Sequence, residues 1–485
     1  MNNMASLVFA VLAQMALLSL RSADCISLNS YHNYTQMKST MENFTRTYSN
    51  MTTLYSIGKS VLDRELLVVN ISTAPINKLG VPNVKILGNI HGDEPMGREI
   101  ILHLMEHLVK EYIRGDPIIR FILDNTRIHL LPNMNPDGSE LAVEGNCRSG
   151  RGRNNINNHD LNRQFPDFFR HNRSHIPIAL STSQSMDPEV QAVIDWMSSI
   201  PFVMSLQLHG GNMVANYPYD SFFGESPNER LIRLYGTDNV EAISKIKTKV
   251  TKNEPALTPD NDMFLHLALT YARLHPTMHL KRPCPSNTNL EFDQGVINGA
   301  AWYAFSGGMA DYNYLYHGCL ELTLEISCCR YPAPELIAQH WKENQNALLS
   351  WLQQVHRGIK GFVLDETGSR LANVSISLAY RNVSFMSSAR GEYWRVLLPG
   401  MYYIEASKDG YEQFRDRVKV PASSTQLESS IFETLLEYNI TLQSIQNDKV
   451  GQDEEPNKSS AVTLTCRHCT NLCILFVLVF FLFCK

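Results

Sequence analysis

The chain has 485 residues, room for about three ordinary domains, or for one large domain with a smaller one and tails. Hydrophobic residues make up 44% and charged residues 19%, which excludes a wholly disordered or fibrous chain. A net charge of -5 argues against a nucleic-acid binder, whose footprint is basic, and favours cationic partners weakly.

In chain order, the first feature is an apolar run from Leu7 to Leu20, broken only by Gln14 and small residues and followed by Arg21-Ser22-Ala23. It is short for a membrane span and reads as a signal peptide over residues 1–23. Secretion gives meaning to the Asn-X-Ser/Thr sequons at Asn33, Asn43, Asn50, Asn70, Asn172, Asn373, Asn382, Asn439 and Asn457. Trimming at both ends would leave Cys25, Cys147, Cys284, Cys319, Cys328 and Cys329, enough for up to three disulfides whose pairing the sequence leaves open.

The run VKILGNI, Val84 to Ile90, predicts a strand that ends at His91-Gly92-Asp93-Glu94-Pro95. Ile100, Ile101, Leu104, Met105, Leu108, Val109 and Tyr112 recur at helical spacing up to a stop at Gly115. A second strand, Arg127 to Leu131, closes on the turn Asn135-Pro136-Asp137-Gly138. Pro188 to Ser198 reads as a helix, and Phe202 to Leu208 as a strand ending at His209-Gly210-Gly211. Alternating strands and helices predict an α/β domain whose mixed sheet is mostly parallel, with ligands outside the carboxyl ends of its strands, where His91 and His209 stand.

From Gly361 to Pro421 short alternating runs between turn signals predict a small all-β sandwich or barrel, with the boundary near residue 357. The chain closes on Ser459-Ser460-Ala461, a spacer from Val462 to Thr470, and an apolar run from Leu472 to Cys484. Small triplet, spacer and apolar tail predict a glycosylphosphatidylinositol anchor, with an ordinary tail anchor as the alternative. Cys466-Arg467-His468-Cys469 falls in the segment expected to be removed, which disfavours a zinc reading there.

Three constellations carry chemistry. His91, Glu94 and His209 can hold Zn²⁺ and leave a fourth position for water. A competing pattern, His103-Leu104-Met105-Glu106-His107, also spells a zinc motif, but the apolar stripe of its helix leaves Glu99, His103, Glu106, His107 and Lys110 on what should be a solvated face. Arg151-Gly152-Arg153-Asn154-Asn155, leading to Asp160-Leu161-Asn162-Arg163, supplies guanidinium forks and amides for a carboxylate, or else a solvated basic loop. In LELTLEI, Leu320 to Ile326, the leucines share one face, and Glu321, Thr323 and Glu325 the other. That polar face needs water, an ion or a partner charge, and a polar edge strand is the simpler reading.

Together with NMNPDG, LTPDNDMF and INGAAWYAFSGGMADYNY, these motifs resemble the zinc metallocarboxypeptidases of the regulatory (N/E) subgroup, over about residues 30–440. The resemblance implies a carboxypeptidase fold over 24–356 and a transthyretin-like β domain over 357–440, and the tail pattern adds a linker over 441–460 and an anchor signal over 461–485. It implies one Zn²⁺ on His91, Glu94 and His209, with Glu325 as general base. Arg153 is then the oxyanion donor and Tyr303 the cap over the bound residue, while Asn162 and Arg163 take the substrate's terminal carboxylate. Asp220 would pair with a C-terminal Lys or Arg, so the expected partners are peptides and proteins ending in those residues, at the extracellular face of a membrane. A silent cell-surface binding protein and a carboxypeptidase of broader specificity are the alternatives. Two positions depart from the family pattern: Gln164 replaces an Asn, and Ala310 replaces a Gln that lines the pocket for a basic side chain.

Overall fold

The computed structural model describes residues 26–148, 150–168, 186–221, 254–282, 284–285, 291–422 and 435–445. The signal and anchor segments, Cys25, and the sequons at Asn172 and Asn457 lie outside the described residues.

Eight strands form one sheet: β1 (Thr52–Lys59), β2 (Glu65–Ile71), β3 (Asn83–Gly88), β4 (Arg127–Leu131), β5 (Phe202–His209), β6 (Asn212–Tyr217), β7 (Val296–Asn298) and β8 (Leu320–Ser327). Their spatial order is β1-β2-β4-β3-β5-β8-β6-β7. The four central strands run parallel, and antiparallel pairs flank them, so the sheet is mixed. Every residue of β3, β5 and β8 is buried, as expected of parallel strands covered on both faces.

The helices that cover it are α1 (Tyr34–Thr47), α2 (Met96–Arg114), α3 (Pro117–Asn125), α4 (Pro188–Ser199), α5 (Asn261–Leu274), α6 (Met309–His317) and α7 (Ile337–Gln353). Val84, Ile86, Met204, Leu206, Leu322 and Leu324 pack with α2, α5 and α7 in the larger core. Leu87, on the opposite face, joins Val190, Trp196, Met309 and Tyr312 of α4 and α6. Helix α2 stops where expected, with Gly115 at φ 94° donating its N–H to Glu111 and Tyr112. The Asn135–Gly138 turn is the start of a one-turn helix, Pro136–Ser139, capped by the Asn135 side chain on the Gly138 N–H at 2.9 Å.

Two expectations are corrected. The charged face of α2 is not solvated, because Glu99 is fully buried and accepts the His32 backbone N–H at 3.0 Å, the His32 ring at 2.6 Å and Arg98 at 3.0 Å. His103 is 4% exposed and stacks near Trp341 of α7, so a remote segment and a second helix cover this face. The second correction concerns β8, which is no edge strand but lies between β5 and β6. Its Glu321 is buried beside Lys85 at 2.8 Å and also accepts from Ser205, Gln207 and Asn313. Such a pair is tolerable in a core only when its remaining hydrogen bonds are filled, as they are here.

The adjacent Cys328 and Cys329 bond to Cys284 and Cys147 respectively, whereas Cys319 is a buried free thiol. The described residues therefore hold two disulfides rather than three, and the Cys147–Cys329 bridge closes a separation of 182 residues, worth about 5 kcal/mol by chain-entropy reasoning.

After α7 two four-stranded sheets follow. One contains β9 (Gly358–Asp365), β12 (Glu392–Arg395), β15 (Leu435–Glu437) and β16 (Ile440–Leu442). The other contains β10 (Ser375–Leu378), β11 (Arg381–Met386), β13 (Gly400–Ser407) and β14 (Phe414–Val420). Ile359, Val363, Ile376, Ile404, Val418 and Ile440 form the core between them, which makes the module a sandwich. Arg381 and Arg395 of this sandwich both reach Asp260, which also accepts the Tyr314 hydroxyl at 2.6 Å.

Candidate active site

Three backbone segments meet at the carboxyl ends of the central strands. A Cβ on Gly92 would lie 2.3 Å from the Ser139 nitrogen and 2.4 Å from the Gly152 oxygen, so the loop after β3 can only touch its neighbours without a side chain there. Asn89, at φ 58°, donates its amide to the His91 and Gly92 carbonyls at 2.9 and 3.0 Å, and so shapes that loop.

One ligand atom from each of His91, Glu94 and His209 lies within 4.8 Å of the others, and all three residues are buried. The Nδ1 atoms of His91 and His209 face Glu94 Oε2 at 3.1 and 2.8 Å, and the rings are 4.8 Å apart. Burial opposes ionisation of Glu94, but His91 and His209 outweigh it and hold the carboxyl well below its usual range. The outer nitrogen of His91 meets Asp160 Oδ1 at 3.1 Å, and that carboxylate also accepts Arg153 at 2.9 Å. Two neutral imidazoles and a carboxylate, with one imidazole backed by a second carboxylate, are a donor set that suits zinc. Among the described residues no other cluster of this kind forms, and the His103–His107 segment does not gather one.

Glu325 is the register partner of His209 across β5 and β8, and its Oε2 is buried without a hydrogen-bond partner among the described residues. Burial and then the adjacent Glu94 raise its carboxyl to about 8. A dication between the ligands would cancel the Glu94 charge and bring it down again.

Arg153 reaches both Glu94 and Asp160, whereas Arg151 is exposed. The Asn162 side-chain oxygen accepts the Met309 N–H at 3.0 Å, and its NH₂ donates to no group among the described residues. The Arg163 guanidinium lies 3.5 Å from the centre of the Phe305 ring, and Tyr303 stacks on that ring at 5.6 Å. Tyr303 is 43% exposed, yet its crowded hydroxyl is pushed up to about 12 by burial and by Glu325. Gln164 grips Asp187 with its amide at 2.8 Å and so ties this loop to the start of α4.

Asp220 is 1% exposed and accepts from Asn216 at 2.9 Å. A Cβ on Gly299 would lie 1.9 Å from one of its oxygens, and one on Gly308 would lie 3.3 Å from the other. Burial raises this carboxyl to about 6, although Asn216 and Arg163 pull it down. Asp311 takes the Asp220 and Ser221 N–H groups at 2.9 and 2.8 Å, and burial followed by the Asp220 charge pushes its carboxyl well above the usual range. Ala310 is buried in the first turn of α6.

Sequence reasoning named Asp160 only within the Asp160–Arg163 run, without a role of its own, and passed over Phe305, Asp311, Gln207 and Arg330. Arg330, directly after the paired cysteines, also reaches Glu94. Only Asp160 had a visible signal, its place two residues before the Asn162-Arg163 pair. A cavity of about 830 Å³ lies elsewhere, lined by Asn83, Arg127, Phe202 and Leu320, the first residues of their strands, and by Phe385 and Arg395 of the sandwich. It holds none of these chemical groups.

Residues 37–347 match the zinc carboxypeptidase family and residues 358–429 the carboxypeptidase regulatory-like domain. The chain belongs to the zinc carboxypeptidase family and is a metallocarboxypeptidase, a peptide hydrolase. It is similar to carboxypeptidase M of Mus musculus, 38% identical over 397 residues that cover 81% of this chain and 82% of that one. It is also similar to carboxypeptidase D of Mus musculus, 40% identical over 80% of this chain, of which it spans only 26%. With carboxypeptidase Z of Gallus gallus it shares 40% identity over 81% of this chain and 59% of that one. The crystal structure of thrombin activatable fibrinolysis inhibitor shares the fold at a TM-score of 0.50 and 18% identity, over 69% of this chain and 76% of that one.

Proposed function

We propose that this enzyme uses one zinc ion to remove C-terminal Lys or Arg from extracellular peptides and proteins. The observation that carries the specificity is Asp220, a buried carboxyl packed against Gly299 and Gly308 that accepts from Asn216 and, among the described residues, forms no ion pair, so that a cationic substrate side chain would supply the partner it lacks. His91, Glu94 and His209 would hold the metal, which when bound would supply an activated water and polarise the scissile carbonyl. Glu325 would accept a proton from a water in the cleft and pass it to the leaving amine. Arg153 stabilises the developing oxyanion, and the Asn162 amide with the Arg163 fork receives the terminal carboxylate. Phe305 holds Arg163 in place by cation–π contact, and Tyr303 closes over the bound residue.

The localisation reading rests on the apolar amino-terminal run, the sequons and the small triplet with its spacer and tail, and makes this a glycoprotein held at the cell surface by a glycosylphosphatidylinositol anchor. Among the described residues no helix is long and apolar enough to cross a membrane.

Metal analysis together with hydrolysis of peptides ending in Arg, Lys, Leu or Glu tests the whole reading. One zinc per chain is expected, lost in His91→Ala and His209→Ala and kept in His103→Ala. The reverse pattern would move the metal to α2.

The pH dependence follows from Asp220, whose carboxyl binds a proton at about 6 and must be ionised to pair with a cation. Because its affinity for protons is raised, pairing is lost on acidification through that value. The ratio of kcat/KM for Arg over Leu substrates should fall about fourfold between pH ~7.5 and ~5.5, since kcat/KM reports the free enzyme. A flat ratio over that interval would separate specificity from Asp220.

A further inference from the structure

We infer that Gln207 is a positioning residue for His209, locked in its working orientation by Glu321 and Lys85; the inference rests on the metal reading above. On β5 the side chains of Ser205, Gln207 and His209 share one face, because alternate residues of a strand do. Ser205 is in register with Lys85 on β3 and Glu321 on β8, and His209 with Glu325. A column of polar side chains thus runs from the middle of the sheet to its carboxyl edge, and Lys85, Ser205, Gln207 and Glu321 are all fully buried.

His209 turns Nδ1 toward Glu94, the side of the metal ligands, and Nε2 toward Gln207 Oε1 at 2.9 Å. An amide oxygen can only accept, so Nε2 carries a hydrogen and Nδ1 keeps its lone pair for a cation. The opposite orientation of the Gln207 amide would present NH₂ to Nε2, drive the hydrogen onto Nδ1 and close the ring to metal.

Glu321 excludes that orientation. The Gln207 amide nitrogen donates to Glu321 Oε1 at 3.0 Å, and a turned amide would set its oxygen against a carboxylate oxygen there. Glu321 cannot swing away, because its other oxygen is held by Lys85 at 2.8 Å, Ser205 at 2.5 Å and Asn313 at 2.6 Å. His91 has a carboxylate, Asp160, directly on its outer nitrogen, whereas His209 has one at a remove, with an amide between. Outer partners of this kind fix ligand orientation and tautomer.

The full-length enzyme tests this through zinc affinity measured against a competing chelator, with the thermal midpoint of the zinc-free protein measured beside it. Gln207→Leu, close in size but without an acceptor, should weaken zinc about 10- to 100-fold, beyond any loss that the fall in its zinc-free midpoint accounts for. Gln207→Glu should restore most of the affinity, since a carboxyl there accepts from Nε2–H and shares a proton with Glu321. The double variant Lys85→Met/Glu321→Gln removes the ion pair as a unit, avoids an orphaned buried charge, and should weaken zinc by freeing the amide to turn. Zinc bound as tightly by Gln207→Leu as by the unmodified enzyme overturns the inference alone. So does a loss in every variant that merely follows its zinc-free midpoint. Absence of zinc from the unmodified enzyme overturns the metal reading, and the inference with it.

Discussion

Glu325→Gln is expected to lower turnover about 10²- to 10⁴-fold while zinc content and thermal midpoint stay at the level of the unmodified enzyme. The side chain sits on a fully buried strand opposite His209, with one oxygen that no group among the described residues satisfies, so it is free to take a proton from a water in the cleft. The amide has the same shape and cannot act as a base, which separates chemistry from folding. Zinc analysis and single-turnover hydrolysis of a peptide ending in Arg read the two effects separately. Turnover within tenfold of the unmodified enzyme would remove Glu325 from the mechanism. Tyr303→Phe should be much milder, because a half-exposed phenol over the site assists binding more than bond cleavage.

The second large effect concerns the pocket. Asp220→Ala should cost Arg and Lys substrates about 2 to 5 kcal/mol, or about 30-fold to several thousandfold in kcat/KM, and leave Leu substrates nearly untouched. The physical reason is desolvation. A guanidinium that enters this pocket leaves water, and without the carboxylate nothing replaces its hydration. Asp311 does not substitute, since it is engaged by the backbone of Asp220 and Ser221. An unmodified enzyme that prefers apolar C-terminal residues, or an Asp220→Ala variant with an unchanged ratio of Arg to Leu activity, would reject the basic specificity and spare the metallocarboxypeptidase assignment.

The α/β layout was legible because its signals are local. The apolar run before His91 and the run before His209 are strands of six and eight residues whose ends the following glycines and polar residues mark, and the structure ends them within a residue or two. The α2 helix was equally legible in its extent and misread in its environment. Periodicity shows which side of a helix is apolar; it does not show that His32, 67 residues away from Glu99, will cover the polar side.

The same division runs through the site. The sequence by itself determined that Glu321, Thr323 and Glu325 share a face, because a strand's backbone repeats every two residues, and that His91 with Glu94 leave one strand and His209 ends another, because glycine and polar residues break each apolar run there. Only the tertiary structure decided that β8 lies beside β5, which puts Glu325 opposite His209 and Glu321 within 2.8 Å of Lys85, 236 positions away. It also decided that Cys329 closes on Cys147, and that Phe305 backs Arg163. Strand neighbours are chosen by the burial of whole faces against α2, α4, α5, α6 and α7, a sum over residues remote in sequence, and no local pattern carries that sum.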